Sequence, residues 1–227
     1  MKSGIGQIQP GNFNMLNYQT LENNTLQLLK ELMQIPELDN FVLVGGTNLA
    51  LRFGHRISVD IDLFTNEPFE IEEVKAAIAS KFDNKILLGE KKQSLWFVIN
   101  GIKVDFILHQ YRYIKKIEII DGIRMLSVQD IIPMKLQALA GRGVKKDFWD
   151  IYELLHHYNI NEMRVFHENK YPDTDFGYIV LSLTYFADAE VQNEDPIGLK
   201  GVTWEEIKSK ISRSTQEYIT KSITDKL

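Results

Sequence analysis

The stretch that decides the fold is Phe41-Val-Leu-Val-Gly-Gly-Thr47, which is followed thirteen residues later by Asp60-Ile-Asp-Leu-Phe64. The first segment is a short apolar run that ends in two glycines and a hydroxyl, which predicts a strand, a tight turn and the start of a helix. The second segment predicts another strand with acids at positions i and i+2. Because side chains alternate along a strand, Asp60 and Asp62 are expected to point to the same side, roughly 7 Å apart.

This pair of segments predicts a site for a metal-bound nucleoside triphosphate. Two carboxylates so close repel each other unless a cation lies between them, and a divalent metal is the usual partner. The alternative is an exposed pair of acids beside a strand, but an apolar strand makes an unpaired acid costly to bury. Gly45 and Gly46 allow the backbone N–H groups of a helix start to approach a phosphate. The Thr47 hydroxyl could cap that helix, contact a phosphate oxygen, or do both.

A third acid follows a predicted hairpin. Asn100-Gly101 is typical of a two-residue turn, and the strand after it carries Asp105 between the apolar residues Val104 and Phe106. A third carboxylate could complete a two-metal site or accept a proton from an attacking hydroxyl. The alternative is a surface acid paired with Lys103.

Two later residues are weaker candidates from their chemistry alone. Lys135 lies in the largely apolar stretch 131–140, where it could contact a triphosphate or extend to water. Asp147 lies at the edge of an apolar helical face and could orient Lys135 or favour the helix N-terminus. Asp150 is predicted to point outward and to pair with Lys146.

Cations also lie between the glycines and the first two acids. Arg52 and Arg56 could contact the phosphates of a nucleotide or of an acceptor, with His55 beside them. The adjacent His156 and His157 have no acid at metal-ligand spacing and are interpreted as packing and surface residues.

The bulk composition limits the class of protein. The 227 residues suit one larger domain or two small ones, and 44% hydrophobic residues suffice for a real core. The absence of cysteine excludes disulfides and thiolate metal sites, and it fits a cytoplasmic protein. No signal peptide and no apolar run of membrane-spanning length is visible, so no membrane association is expected. A net charge of −5 disfavours a general nucleic-acid binder.

Periodicity predicts strands in the first half and helices in the second. Residues 1–126 are predicted to form a core with an N-terminal helix, and residues 127–227 a helical region that completes the active site. The fold class is therefore α+β, with a mixed sheet flanked by helices. The predicted strands cover residues 42–44, 59–64, 85–88, 95–99, 102–109, 118–120 and 123–126. Helices are predicted near residues 21–33, 48–53, 71–78, 148–158, 176–183 and 204–211, after a loose lead-in over residues 1–18.

Capping residues mark two of these helices. Ser127-Val-Gln-Asp130 resembles a capping box, although Pro133 predicts a kink or a later start. Thr203-Trp-Glu-Glu206 predicts the start of the last helix.

These residues together resemble a known family, the AbiEii/AbiGii-type nucleotidyltransferase toxins of the DNA polymerase β-like nucleotidyltransferase superfamily. The resemblance covers about residues 40–158, and no motif follows residue 160. It rests on the segments Val44-Gly-Gly-Thr-Asn-Leu-Ala-Leu-Arg52, Gly54-His-Arg-Ile-Ser58, Asp60-Ile-Asp-Leu-Phe64, Lys103-Val-Asp-Phe-Ile107, Lys135-Leu-Gln-Ala-Leu-Ala140 and Arg142-Gly-Val-Lys-Lys-Asp-Phe-Trp-Asp150.

The resemblance implies a nucleotidyltransferase core that uses Mg²⁺ (or Mn²⁺) to transfer a nucleotidyl group from an NTP. Asp60 and Asp62 match the family's metal-binding acids, Asp105 the third carboxylate, and Lys135 and Asp147 the later catalytic pair. Gly46 and Thr47 match its Gly-Ser/Thr turn. Members commonly act as the toxin of a toxin–antitoxin or phage-defence pair, and some modify the 3′ acceptor end of tRNA. The implied partners are therefore an NTP, a tRNA or other acceptor, and a cognate antitoxin.

Two other functions compete with this one. A haloacid-dehalogenase-like phosphatase also uses two acids after an apolar strand, but it needs Thr or Val where this chain has Phe64. A non-catalytic nucleotide-binding or interaction module on the same scaffold is the second, since a fold does not fix a function.

Overall fold

The computed structural model describes residues 15–225, and in them a mixed sheet and a set of helices follow one another along the chain. The strands are β1 (Val42–Leu43), β2 (Ile61–Thr65), β3 (Lys85–Lys91), β4 (Ser94–Ile99), β5 (Ile102–Leu108), β6 (Glu118–Ile120) and β7 (Ile123–Met125). The α-helices are α1 (Asn23–Leu32), α2 (Gly45–Phe53), α3 (Ile71–Lys81), α4 (Val128–Arg142), α5 (Lys145–Leu154), α6 (Ile160–Lys170), α7 (Phe176–Leu183), α8 (Ala187–Glu190) and α9 (Trp204–Thr224).

The seven strands form one sheet in the order β3-β4-β5-β2-β1-β7-β6. β2 pairs in parallel with β5, and β1 in parallel with β7, while the other neighbours are antiparallel. The hairpin between β4 and β5 turns at Asn100 and Gly101, both with positive φ, as that dipeptide predicts. The predicted α+β fold with a mixed sheet is therefore confirmed.

Strand alternation places the sheet between two hydrophobic cores. Leu43, Ile61 and Leu63 belong to a core that includes α1 and α3, whereas Val42 and Val44 belong to a second core with α4, α5 and α9. Successive residues of a strand face opposite sides, so both faces of the central strands are covered. The second core faces the helical half of the chain.

Several predicted boundaries shift in the structure. α2 begins at Gly45 rather than Asn48, and β2 begins at Ile61, so Asp60 directly precedes the strand. α4 begins at Val128, where Ser127 caps it, and Pro133 lies inside the helix, so the prediction of a later start was wrong. The capping box at Thr203 is confirmed.

The predicted loose lead-in is only partly described, because residues 1–14 lie outside the described part. Leu16 is buried, and the Asn17 side chain donates to the carbonyl oxygens of Leu51 and Arg52. The end of the lead-in is therefore packed, which corrects the prediction for these residues. Across residues 15–225, no helix combines the length and the apolar character needed to cross a membrane.

Candidate active site

A cavity of about 530 Å³ lies where the ends of β2 and β5 meet the starts of α2 and α5. Its lining divides into an acidic side, from β2, β5 and the residue before β2, and a cationic side, from α4, α5 and the loop before β2. The acidic side holds Asp60, Asp62 and Asp105; the cationic side holds Arg56, Lys135, Arg142, Lys145 and Lys146. The structure thus brings together most of the site residues that the sequence predicts.

Strand register places the acids. Asp62 on β2 and Asp105 on β5 are direct partners across parallel strands, and Asp60 precedes β2 by one residue. Burial raises the pKa of Asp62, and the neighbouring Asp105 and Asp60 raise it further against the opposing effect of Lys135. Three carboxylates that repel each other in one cavity are the arrangement that a cation relieves.

Lysines neutralise two of these acids. Lys146 Nζ lies 3.3 Å from Asp60 Oδ2, and Lys103 Nζ lies 2.7 Å from Asp105 Oδ2. The predicted Lys103–Asp105 pair therefore exists, but Asp105 is buried at 7% exposure rather than a surface acid. Its second oxygen, Oδ1, is buried and has no hydrogen-bond partner among residues 15–225.

The donor set fits a hard divalent cation in its chemistry, because carboxylate oxygens are the ligands that such ions prefer. Within residues 15–225, no three acidic or histidine side chains already converge on one point at metal-binding distance. The partnerless oxygen of Asp105 and the raised pKa of Asp62 mark these carboxylates as groups that a cation would stabilise.

The two glycines make room for side chains of the site. A Cβ atom on Gly45 would overlap Asp62 Oδ2, and a Cβ atom on Gly46 would overlap the guanidinium of Arg56. Gly45 also has a φ of +69°, a backbone conformation that residues with a side chain rarely adopt. Gly-Gly is therefore required both by the turn into α2 and by the close approach of the charged groups.

Thr47 is buried and does not cap α2. The N-cap is Val44, and the Thr47 hydroxyl instead donates to the carbonyl oxygen of Asp60 and lies 2.9 Å from Ser58 Oγ. The predicted capping role was wrong because the helix begins two residues earlier. Thr47 fixes the backbone directly before β2 and so positions Asp60.

Asp150 is the buried centre of the cationic side. Its carboxylate accepts hydrogen bonds from Arg56 Nε at 2.7 Å and Arg56 Nη2 at 3.0 Å, lies 2.7 Å from His55 Nε2, and pairs with Lys135 Nζ at 2.7 Å. Burial would raise its pKa, but Arg56 and Lys135 hold the pKa of Asp150 well below its usual value. The predicted outward position and pairing with Lys146 were wrong.

Asp147 joins the same network one turn earlier in α5. It accepts two hydrogen bonds from Arg142, at 2.7 and 2.9 Å, and its Oδ1 lies 3.4 Å from Lys135 Nζ. Lys135 therefore lies between two buried carboxylates, which hold its ammonium group at the cavity wall.

Arg52 is not brought into the cavity. It is buried on the far side of α2, where its guanidinium bonds to Asn48 and pairs with Glu118 at 2.9 Å. His55 reaches the network only through Asp150. His157 stacks on Phe53, and His156 lies at the surface, which agrees with the predicted packing and surface roles.

The segment 192–197 is a wall of the cavity that the sequence does not reveal. Asp195 pairs with Lys145 at 2.6 Å, and the carbonyl of Ile197 accepts a hydrogen bond from the N–H of Ile57. The segment 192–197 has no hydrophobic periodicity and no motif by which its place in the site could have been predicted. Arg142 also joins the site, and its only sequence signal is its place in the segment that ends at Asp150.

A family model described as "Nucleotidyl transferase AbiEii toxin, Type IV TA system" matches residues 27–217. The chain belongs to this family. An uncharacterised protein of Aquifex aeolicus is 33% identical over 205 residues, which cover 88% of this chain and 98% of that protein.

Solved structures share the fold of this AbiEii-family chain. A putative nucleotidyltransferase from H. pylori has a TM-score of 0.52 at 16% identity, covering 88% of this chain and 96% of that one. MenT4, a nucleotidyltransferase toxin of Mycobacterium tuberculosis H37Rv, has a TM-score of 0.56 at 12% identity, covering 83% of this chain and 82% of the toxin. Both likenesses concern the architecture of the sheet and its helices.

Proposed function

We propose that this AbiEii-family protein is a Mg²⁺- or Mn²⁺-dependent enzyme that transfers a nucleotidyl group from an NTP to a tRNA. It would act in the cytoplasm as a toxin that a cognate antitoxin restrains. The observation that carries the proposal is the cavity itself, in which three carboxylates at or beside β2 and β5 share a lining with cations from α4, α5 and the loop that precedes β2. This is the charge pattern that a metal-bound triphosphate requires.

The acidic side would hold the metal. Asp60, Asp62 and Asp105 are the ligands in this proposal, and the bound cation would neutralise charge that develops on the leaving pyrophosphate. Asp105 has a second role, because its buried, partnerless oxygen could accept the proton of an attacking hydroxyl.

The cationic side would bind the triphosphate. Arg56 and Lys135 are buried cations whose positions Asp150 fixes, so they lose little entropy when they meet an anion. Gly45 and Gly46 offer the backbone N–H groups of the α2 start. In this proposal Asp147 orients Lys135.

Two of the predicted residues act indirectly in this scheme. Thr47 holds the backbone of Asp60, and Arg52 stabilises the outer side of α2 through Glu118.

The acceptor would approach over the exposed rim of the cavity. Lys146 lies on that rim and carries a half-exposed side chain, and Arg112 is a further exposed cation. With a net charge of −5, the chain would bind RNA through local cations of this kind rather than through its overall charge. Residues 127–227 would then complete an active site begun by residues 1–126.

Incubation of the protein with each α-³²P-labelled NTP, Mg²⁺ and total tRNA tests the proposal. We expect label on the RNA with wild type and none with Asp62→Asn, whose fold should persist because the amide has the same size and removes a charge that burial and the neighbouring acids disfavour. Nucleotide binding without pyrophosphate release, measured by titration calorimetry and a pyrophosphate assay, would instead support a non-catalytic module.

A further inference from the structure

Within residues 15–225, six cations line the cavity and each is paired with a carboxylate, but the pairs are of two kinds. Arg56, Lys135 and Arg142 pair with the buried Asp147 and Asp150, which do not line the cavity. Buried carboxylates hold these three cations at the wall, although the Arg142 side chain is itself half exposed. The other three, Lys103, Lys145 and Lys146, pair with acids that themselves line the cavity.

Two of these last three pairs involve candidate metal ligands. Lys146 holds Asp60 and Lys103 holds Asp105, whereas Lys145 holds Asp195 on the segment 192–197. A carboxylate carries one negative charge, so a lysine that contacts one of its oxygens weakens the attraction of either oxygen for a divalent cation. The side chains of Lys103 and Lys146 are nearly half exposed, so each can swing away at little cost.

We propose that Lys103 and Lys146 are counter-ions. In the free protein they pair with Asp105 and Asp60, and they move to the nucleotide phosphates when a metal ion replaces them at these carboxylates. The inference rests on the proposed function and deepens it. It assigns to Lys146, on the first turn of α5, a phosphate-binding role that its contacts in the free protein hide. The cavity would thereby gain two mobile cations together with the metal.

This exchange predicts that loss of the Lys146 charge changes two binding affinities in opposite directions. Removal of the Lys146 charge frees Asp60 and should tighten binding of metal alone. The same change removes a phosphate partner and should weaken binding of the metal–nucleotide complex. A residue that only supports the fold would move both affinities in the same direction or leave both unchanged.

Lys146→Gln is the test, with Lys145→Gln as the matched control. Lys145 precedes it on the same helix and lines the same cavity, but its partner is Asp195. The control therefore removes an equal charge without freeing a metal ligand. Mn²⁺ binding is measured by electron paramagnetic resonance on the full chain. It is measured first without nucleotide and then with α,β-methylene analogues of the four ribonucleoside triphosphates, which cannot react.

We expect Lys146→Gln to tighten binding of Mn²⁺ alone by about twofold to fivefold relative to Lys145→Gln, which is the scale of an exposed ion pair. It should weaken binding of the Mn²⁺–analogue complex by at least a similar factor. Lys103→Gln should behave like Lys146→Gln. Equal Mn²⁺ affinities in the Lys146 and Lys145 variants would overturn the exchange. Unchanged binding of the analogue complex would overturn the phosphate-binding role.

The labelling assay separates this inference from the proposed function. If both shifts occur and no RNA is labelled, the exchange stands and the transferase proposal fails. If RNA is labelled and neither shift occurs, the transferase proposal stands and the exchange is wrong.

Discussion

At the scale of single residues, the buried charges depend on Asp150. It is fully buried and is the shared partner of Arg56, His55 and Lys135, which come from two separate parts of the chain. Loss of its charge would leave two cations buried without full compensation, and such a broken pair is much more costly than a broken surface pair.

Asp150→Asn is therefore expected to lower the free energy of unfolding by about 3–5 kcal/mol. The control is Asp195→Asn, which removes a half-exposed carboxylate from the mostly buried Lys145 and should cost clearly less, about 1 kcal/mol. Urea denaturation followed by circular dichroism measures both. Equal losses in the two variants would contradict a central structural role for Asp150.

Asp105 allows a kinetic prediction. If its carboxylate binds metal or accepts the proton of the attacking hydroxyl, Asp105→Asn should lower kcat for nucleotidyl transfer while the KM for NTP changes little. Steady-state kinetics on purified protein decides the point. An unchanged kcat would reduce Asp105 to a partner of Lys103.

At the scale of elements, the turn from β1 into α2 explains why the site needs two glycines. The turn brings the start of α2 against the side chain of Asp62 from the adjacent strand. Neither the positive φ of Gly45 nor this contact tolerates a methyl group.

Gly45→Ala should destabilise the protein by at least about 1–2 kcal/mol from the backbone alone. Gly141→Ala is the matched control, because that glycine lies in the last turn of α4 with open space around its Cα. Alanine there should stabilise the helix by roughly 0.5–1 kcal/mol. Opposite shifts in thermal midpoint are expected, and a neutral Gly45 variant would refute the close packing.

At the scale of the whole molecule, the partly buried His109 and the buried Glu153 make stability depend on pH. Burial, and then the charge of Lys170, lowers the pKa of His109 to about 4, against the opposing effect of Asp130. Burial would raise the pKa of Glu153, but His157 and Lys200 lower it to about 2. In both cases the unfolded chain binds the proton more readily, so stability falls as the pH falls.

We expect the loss to begin near pH 6.5, where an ordinary histidine gains its proton, and to continue for His109 down to about pH 4. Glu153 adds a second loss from about pH 4.5 to about pH 2. His109→Gln should flatten the upper part of a curve of unfolding free energy against pH and leave the lower part. If the slope above about pH 4 were the same in that variant as in wild type, the lowered pKa of His109 would not be the cause of the pH dependence.

Toxicity is the prediction for the whole protein in the cell. Expression alone should arrest growth, because an unrestrained transferase would modify an acceptor needed for translation. Expression of Asp60→Ala should not arrest growth, and a cognate antitoxin should rescue the wild type. A harmless wild type that labels no RNA would exclude the toxin role proposed here.

The sequence by itself determined the features whose causes are local. Alternation and the Asn100-Gly101 turn predict the strands of the sheet, and Ser127 and Thr203 mark the helix starts that the structure has. The Gly-Gly turn and the acids two residues apart predict a shared site because strand geometry fixes their directions. Helix α6 was missed because its apolar stripe is weak and it buries the charged Lys170 against Asp130.

Only the tertiary structure decided which charges meet. A helical wheel places Asp150 relative to its own helix, but its partners Arg56 and His55 lie 94 and 95 residues earlier in the chain. The pair of Lys145 with Asp195 spans 50 residues and depends on a segment without periodicity. Such contacts arise from the packing of α5 against the end of α2 and the segment 192–197, and packing of distant elements leaves no local pattern in a single sequence.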